Sequence, residues 1–254
     1  MDRESLLEAI EASPLANHIE FLLANAAPMV RIKPRDKNDA GRSCIAGSPN
    51  LPTNFSWPEC EPGYRFMMQL DFAEMPPCVS GQPDAGVLSF FLEHNDDNSN
   101  DWWSPECLKV FYFAGSDELV TAKAPNGVPS FDAFPIAFEH GWDLPFLSRL
   151  VKDSYENTPI SFDDLNDYED LRDSLHIRYR FGEYNRVTNF CFGHPMDTCL
   201  CQNPLPGPDW MQLVNIDTHE DLGLFFMDHA RFMVFVETKR FAVQDFSNLK
   251  PYAG

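Results

Sequence analysis

The feature that most constrains the fold of this chain is an apolar segment that occurs twice. Tyr64–Phe72 contains the triplet Met68-Gln69-Leu70, and residues 209–217 contain the identical triplet Met211-Gln212-Leu213. An aspartate follows each triplet, and a second apolar run comes soon afterwards in both places. Two degenerate copies this far apart do not have the regular period of a stacked solenoid. The pattern therefore predicts two related β units that fold together.

The rest of the chain divides into further apolar runs, helical patterns and polar connections. Nearly continuous apolar runs indicate strands covered on both faces, whereas apolar residues at helical spacing indicate amphipathic helices. The predicted strands include 87–92, 107–113, 117–123, 133–140 and 232–236, and the predicted helices are two within 4–27 that pack on a sheet, one over 145–156 and one over 161–177. A solvated basic connector is expected over 31–37, and loops over the sheet edge are expected over 181–208.

These elements predict an α+β fold that is rich in β structure. A chain of 254 residues can bury enough surface to be stable as one unit. We expect a single domain built from two pseudo-repeats, with helices at the N-terminus and between the repeats. Residues 1–30 then form helices that pack on a domain spanning 31–254, whose halves cover about 45–140 and 180–250.

The charge balance limits the classes of partner. The chain has 39 acidic and 19 basic residues, which gives a net charge of −20 at pH 7. Such a surface repels nucleic acids and anionic membranes and attracts cationic surfaces. We therefore expect a basic protein as the partner, and neither a nucleic acid nor a membrane.

A cytoplasmic location is expected from the first residues and from the cysteines. Met1–Ser5 carries charged side chains and leads into an amphipathic pattern, unlike a signal peptide. No apolar run is long enough to span a membrane. The 7 cysteines are an odd number, which predicts reduced thiols instead of a disulfide framework.

Several short motifs occur in an order that resembles the YwqG-like family of bacterial proteins. They are Gly47-x-Pro49-x-Leu51-Pro52, Trp57-Pro58, the first triplet, Pro76-Pro77, Gly86-x-Leu88-x-Phe90-Phe91, Phe192-Gly193-His194-Pro195, the second triplet and Asp245-Phe246. The resemblance spans about residues 45–250 and implies a β-rich α+β fold built by duplication, a cytoplasmic location and no established activity. The chain departs from the family at Ala46 and Ala230, where the family has glycines that reach positive φ more readily.

Four potential metal ligands lie close together within the C-terminal half of the sequence. They are Cys191, His194, Cys199 and Cys201, the number that a tetrahedral zinc site needs. A single residue separates Cys199 from Cys201, so on a strand the two thiols would point to opposite faces. Buried or incidental thiols are the favoured interpretation. We therefore expect no cofactor, with zinc as the minority alternative.

A cleft between the two pseudo-repeats is the remaining candidate site. The sequence contains neither a recognisable nucleophile motif nor a phosphate-binding loop, so catalysis is uncertain and not favoured. The candidate ligand-binding residues are Trp57, Gln69, Asp71, Gln212 and Asp217, with His194 as a further candidate. A structural role is favoured for them, because buried amides commonly satisfy loop backbone and aspartates commonly cap turns.

Two functional classes stay open. The net charge and the lack of a catalytic signature predict a non-catalytic cytoplasmic protein that binds a basic protein partner, for example in an immunity or antitoxin-like role. The alternative is an enzyme or a small-molecule binder that uses the cleft between the pseudo-repeats.

Overall fold

The computed structural model describes residues 3–36, 39–59, 63–94, 101–115, 117–146, 158–181, 185–197, 203–227 and 230–254. Within these ranges the protein is mostly β structure with few helices. None of the helices in these ranges is long and apolar enough to cross a membrane.

The strands and helices have the following bounds. The strands are β1 (Ala27–Pro34), β2 (Cys44–Ile45), β3 (Asn50–Pro52), β4 (Tyr64–Asp71), β5 (Val87–Glu93), β6 (Leu108–Phe113), β7 (Leu119–Thr121), β8 (Phe134–Asp143), β9 (Tyr179–Phe181), β10 (Asn185–Val187), β11 (Asn189–Phe192), β12 (Trp210–Asp217), β13 (Arg231–Glu237) and β14 (Leu249–Ala253). The α-helices are α1 (Arg3–Glu11), α2 (Ile19–Asn25), α3 (Leu165–Leu175) and α4 (Thr238–Ala242). Short 3₁₀ turns occur at Ala16–His18, Phe72–Glu74, Pro105–Cys107, Phe162–Asp164 and Glu220–Leu222.

A 10-stranded sheet curls into a nearly closed barrel. Its order is β14-β13-β12-β11-β1-β8-β2-β4-β5-β6, and neighbouring strands are antiparallel. The central pair, β1 and β8, is in register from Ala27 opposite Asp143 to Pro34 opposite Ile136. Two small ribbons, β3 with β7 and β9 with β10, lie outside this sheet.

The two repeated segments form β4 and β12, and each pairs with the apolar run that follows it. Each of these hairpins contains one bulge, at Met67 in β4 and at Leu213 in β12. A bulge adds one residue to a strand and increases its local twist. Counted from the two bulges, Gln69 of β4 corresponds to Asn215 of β12. The two Met-Gln-Leu triplets therefore do not occupy equivalent positions in their strands.

One hydrophobic core fills the barrel and contains side chains from both halves. Met68 of β4 and Val214 of β12 belong to the same buried cluster. A hydrogen bond also links the two ends of the sheet, because Tyr112 of β6 donates to Oε1 of Gln244, in the segment between β13 and β14, at 2.9 Å. Separating the halves would therefore expose this shared apolar surface to water.

A second apolar cluster joins the helices on the face of the sheet opposite the core. Ile10 of α1 and Leu22 of α2 pack with Tyr168 and Leu175 of α3, and Trp142 of β8 packs against them. The N-terminal helices therefore share one apolar cluster with α3 and with residues of β8 and its C-terminal end. The helix expected over 161–177 is present as α3, whereas the one expected over 145–156 lies largely outside the described residues.

Arg31 shows that the basic segment 31–37 is not simply a solvated connector. It lies in β1 and is 1% exposed. Val30 and Ile32 face the core, so the alternation along the strand turns Arg31 to the opposite face. There its Nη2 donates to the carbonyl of Leu175 at 2.8 Å. A cation at this position satisfies a free carbonyl at the end of α3 and complements the helix dipole.

The prediction of loops over 181–208 is wrong for two parts of that segment. Asn185–Val187 form β10 of the small ribbon, and Asn189–Phe192 form β11, which lies between β12 and β1 in the sheet. β11 has only 4 residues and is flanked by turn-forming residues, so its apolar pattern is too short to stand out in the sequence.

Candidate functional site

Gln69 and Gln212 lie in different parts of the sheet. The strands β11, β1, β8 and β2 separate them, which corresponds to roughly 24 Å along the sheet. The buried Oε1 of Gln69 accepts a hydrogen bond from the backbone N–H of Asn50 at 2.8 Å, and Nε2 of Gln212 donates to the carbonyl of Phe192 at 2.8 Å. Each amide thus holds a neighbouring backbone segment. The structure does not bring the two together, and their role in binding stays a prediction.

Trp57 and Asp71 fix the segments next to β4. The indole N–H of Trp57 donates to the carbonyl of Tyr64 at 2.8 Å, which ties the Pro-rich loop to the start of the strand. At the other end of the strand, Oδ1 of Asp71 accepts from the backbone N–H of Ala73 at 3.0 Å, and Oδ2 accepts from Nε of Arg42 at 2.9 Å. Asp71 therefore caps the 3₁₀ turn and pairs with a cation.

Asp217 lies at the edge of a pocket that is rich in arginine. The pocket has a volume of about 220 Å³, and its ionisable lining side chains include Arg172, His176, Arg178, Arg186, Asp217 and Arg231. We call it the arginine pocket. Four of the 19 basic residues line it, although the net charge of the chain is −20. Pockets for drug-sized ligands have roughly 300–1,000 Å³, so the arginine pocket suits a smaller ligand.

Arg172 is the most firmly held of these arginines. It is 4% exposed, and its Nε donates to the carbonyl of Leu144 at 3.0 Å. Its guanidinium carbon lies 3.6 Å from the ring centre of Phe146, and Nη1 lies 3.7 Å from Oδ1 of Asp173. A cation over an aromatic face is attracted to it. Since these contacts already order the side chain, Arg172 loses little conformational entropy when it binds an anion.

Asp143 is buried behind the arginine pocket and orients His176. Its Oδ1 lies 2.6 Å from Nε2 of His176, and its Oδ2 accepts from the backbone N–H of His194 at 2.8 Å. Burial by itself raises the pKa of Asp143, but His176 and Arg172 outweigh that effect and hold the pKa below its usual range. Asp143 is therefore an ionised hydrogen-bond acceptor.

A tight turn after β11 allows this contact. Phe192 has φ 63° and Gly193 has φ 69°, so both lie in the left-handed region. A Cβ at Gly193 would come within 3.0 Å of Oδ2 of Asp143. The glycine thus permits the close approach that brings the His194 N–H to Asp143. The segment Phe192-Gly193-His194-Pro195, singled out in the sequence, therefore supports the carboxylate behind the pocket.

Two of the pocket arginines carry charge that no carboxylate in the described part of the chain neutralises directly. Within the described residues, Arg178 and Arg186 form no ion pair, whereas Nε of Arg231 lies 3.8 Å from Oδ1 of Asp217. Arg186 also lies directly opposite Arg180 in the β9–β10 ribbon. Like charges at such positions repel each other. An anion in the pocket would offset the charge of Arg178 and Arg186.

The potential zinc ligands are placed as follows. Cys191 is buried in the barrel core, and burial raises the pKa of its thiol well above the usual range. Nε2 of His194 lies 2.9 Å from the carbonyl oxygen of Asn25. Cys199 and Cys201 lie outside the described residues. Among the residues that the structure describes, no three of His, Cys, Asp or Glu are placed to hold a metal ion. Zinc binding stays a prediction.

A wider cavity of about 420 Å³ opens beside Arg35 and Arg42. Both cations are already paired, Arg35 with Glu74 and Arg42 with Asp71, whose Oδ2 lies 2.8 Å from Nη2. Cys44 lines the same cavity, and burial raises the pKa of its thiol to about 12, so it is not a thiolate nucleophile. The arginine pocket is therefore the better site for an anion.

Sequence reasoning overlooked the arginine pocket, although one signal was present. Arg172, Arg178, Arg180 and Arg186 occur within a short stretch of an otherwise acidic chain. Their convergence with Arg231 depends on the packing of α3 and the β9–β10 ribbon near β12 and β13, which no local pattern specifies.

Comparison with known proteins identifies one family. A family model described as Domain of unknown function (DUF1963) matches residues 43–250. No curated protein matches the chain. The matched range runs from the residue before β2 into β14, so it includes all four pocket arginines and leaves α1, α2 and β1 outside.

Proposed function

The chain belongs to the DUF1963 family of domains of unknown function, and from this premise we propose that it is a non-catalytic binding protein whose ligand is a small anion. The observation that carries the proposal is the convergence of Arg172, Arg178, Arg186 and Arg231 on one small pocket. Arginine presents planar N–H donors that match the oxygens of carboxylates and phosphates. This is the small-molecule alternative from the sequence, at a different place from the predicted cleft.

The negative net charge does not prevent binding in the arginine pocket. Interactions between exposed charges fade beyond about 8 Å at physiological ionic strength. An anion in the pocket meets the four lining guanidiniums, the two lining carboxylates of Asp173 and Asp217 and, behind His176, the ionised carboxylate of Asp143. The local field therefore favours an anion, while the distant acidic surface is screened.

Isothermal titration calorimetry with inorganic phosphate at low salt tests the proposal. The double variant Arg178→Gln/Arg186→Gln removes the two pocket cations that form no ion pair with any described residue, and we expect it to bind at least about tenfold more weakly than the wild type. The control Arg3→Gln/Lys239→Gln removes the same charge from exposed positions outside the pocket. Equal loss of affinity in both variants, or no binding to the wild type, contradicts the proposal.

Binding of a basic protein is the second candidate, and the helical layer supports it. α1 exposes Glu4, Glu8 and Glu11, and α3 exposes Glu169 and Asp170. Charge of one sign steers a partner of opposite charge, and salt weakens the effect. Native mass spectrometry of the protein isolated gently from its host can detect such a partner. This candidate is supported if a basic protein stays bound to the wild type at low salt and is lost from a Glu4→Gln/Glu8→Gln/Glu11→Gln variant. Equal recovery of that partner with the wild type and with the variant contradicts it.

We also propose that the domain arose by internal duplication, is a YwqG-like member and is cytoplasmic. The support for duplication is the matched pair of hairpins, in which Met68-Gln69-Leu70-Asp71 and Val214-Asn215-Ile216-Asp217 follow the two bulges. The sheet order is also symmetric about the boundary between β1 and β8. An experimental structure in which the two hairpins fail to superpose with their bulges aligned would contradict the duplication.

A further inference from the structure

Two aspartates line the arginine pocket together with the four arginines, and both are open to solvent. The side chain of Asp173 is 69% exposed and that of Asp217 is 24% exposed. Asp173 lies in the last turn of α3, and Asp217 is the last residue of β12. The pocket therefore presents carboxylate oxygens as well as guanidinium donors to a ligand.

The contacts of these carboxylates with the pocket arginines are long. Oδ1 of Asp173 lies 3.7 Å from Nη1 of Arg172. Oδ1 of Asp217 lies 3.8 Å from Nε of Arg231. A charge-assisted hydrogen bond between such groups is about 2.7–2.9 Å long. Oδ2 of Asp217 accepts from the backbone N–H of Thr188 at 3.0 Å, which fixes the orientation of this carboxylate. Both aspartates thus keep oxygens that can accept a hydrogen bond from a ligand.

A ligand that is only an anion meets these carboxylates as like charges. Its attraction to the arginines is then partly cancelled by repulsion from Asp173 and Asp217. A primary ammonium group on the ligand turns this repulsion into attraction and supplies three N–H donors for the carboxylate oxygens. The mixed lining of the pocket therefore favours a ligand that carries both charges.

We infer that the ligand of the arginine pocket is a small zwitterion, in which an anionic group and a primary ammonium group lie a few bonds apart. The anionic oxygens pair with Arg178 and Arg186, and the ammonium pairs with Asp173 and Asp217. A volume of about 220 Å³ suits a molecule of this size. The anionic group is either a carboxylate, as in an amino acid, or a phosphate, as in an amino-alcohol phosphate. The inference rests on the proposed anion-binding function and adds the class of ligand to it.

Two pairs of probes isolate the contribution of the ammonium group. L-aspartate is succinate with one ammonium added, and O-phosphoethanolamine is ethyl phosphate with one ammonium added. Calorimetry at neutral pH and matched ionic strength measures the affinity of all four. We expect the ammonium member of at least one pair to bind roughly 10- to 100-fold more tightly than its partner, the gain from one hydrogen bond to a charged group. Attraction by the arginines alone predicts the reverse order, because the ammonium lowers the net negative charge of the ligand.

The same measurement identifies the anionic group. A preference for L-aspartate over succinate supports a carboxylate ligand, and a preference for O-phosphoethanolamine over ethyl phosphate supports a phosphate ligand. If both preferences are found, the ammonium probe with the higher affinity indicates the source.

The variant Asp217→Asn tests the role of the carboxylate. Asparagine keeps a side-chain oxygen that can accept from the N–H of Thr188, so the turn is preserved. The preferred ammonium probe should bind at least about tenfold more weakly, whereas its partner without ammonium should bind more tightly because one like charge is gone. A general loss of structure would weaken both. The control Asp170→Asn removes an exposed carboxylate of α3 outside the pocket and should change neither affinity.

The outcomes separate this inference from the proposed function. Equal affinity within both pairs, or tighter binding of succinate and ethyl phosphate, overturns the zwitterion and leaves anion binding intact. An ammonium preference that persists in a folded Asp173→Asn/Asp217→Asn variant also overturns it, because the preference would then arise elsewhere. Binding of none of the four probes and of no inorganic phosphate overturns both proposals.

Discussion

Acidification is expected to destabilise the protein through His219, which is 2% exposed and lies just after β12. The backbone N–H of Asp217 donates to Oδ1 of Asn189 at 2.9 Å. This bond fixes the orientation of the Asn189 side-chain amide, whose Nδ2 therefore lies 2.8 Å from Nε2 of His219. An amide nitrogen is only a donor, so Nε2 must be an unprotonated acceptor. Burial lowers the pKa of His219 from 6.5 to about 4.

The size of the effect follows from the difference in pKa. Because the folded pKa of His219 lies below the unfolded one, the unfolded chain binds more protons. The contribution to stability is fully present above the unfolded value of 6.5 and is lost as the pH falls towards 4. At 1.36 kcal/mol for each pKa unit, the full contribution is roughly 3 kcal/mol. By the same linkage, about 2 kcal/mol of it is lost between about pH 7 and about pH 5.

Urea unfolding followed by tryptophan fluorescence measures this loss. The matched variant is His219→Gln, whose side-chain oxygen accepts from Asn189 without titrating. The free energy of unfolding of the wild type should fall by about 2 kcal/mol more than that of the variant over this range. The series stops at about pH 5 because the pI is about 4.5, where low net charge promotes precipitation. Parallel pH profiles of the two proteins would refute the assignment to His219.

Three substitutions separate structural roles from binding, and urea unfolding measures each. Gly193→Ala should lower the free energy of unfolding by about 1–3 kcal/mol, because the φ of 69° and the close approach to Asp143 both disfavour a Cβ. Unchanged stability would contradict this role of the turn. Asp143→Asn should cost about 3 kcal/mol, since it removes the charge paired with His176, and a neutral result would show that the pair is not stabilising. Gln69→Leu leaves the Asn50 N–H without its acceptor and should cost about 1–3 kcal/mol with phosphate affinity unchanged, whereas lost binding in a stable variant would place Gln69 in a site.

The strands that the sequence predicts best are those buried on both faces. β4, β5, β12 and β13 have nearly continuous apolar patterns, and such patterns depend on the segment itself. β1 was not predicted because Arg31 interrupts its apolar pattern, and the reason for Arg31 is a carbonyl of α3 far along the chain. β11 was too short to recognise. β1 and β11 are strands because they pair with strands that are distant in the sequence, and not because of local propensity.

The candidate site was less predictable than the fold. The repeated triplets drew attention to Gln69 and Gln212, but the bulges place Gln69 in the position that matches Asn215. A bulge shifts the register of a strand and leaves no clear mark in the sequence. Among the predicted residues, Asp217 lies at the arginine pocket. The pocket itself requires arginines from α3, β10 and β13, so only tertiary structure reveals it.

The measurement that tests the central claim most directly is an NMR titration of the arginine Nε–H resonances with inorganic phosphate. If the arginine pocket is the anion site, the resonances of Arg172, Arg178, Arg186 and Arg231 should shift together and give one dissociation constant. Those of Arg35 and Arg42, which are paired with carboxylates beside the wider cavity, should stay in place. Shifts confined to Arg35 and Arg42, or no shifts at any arginine, would contradict the account.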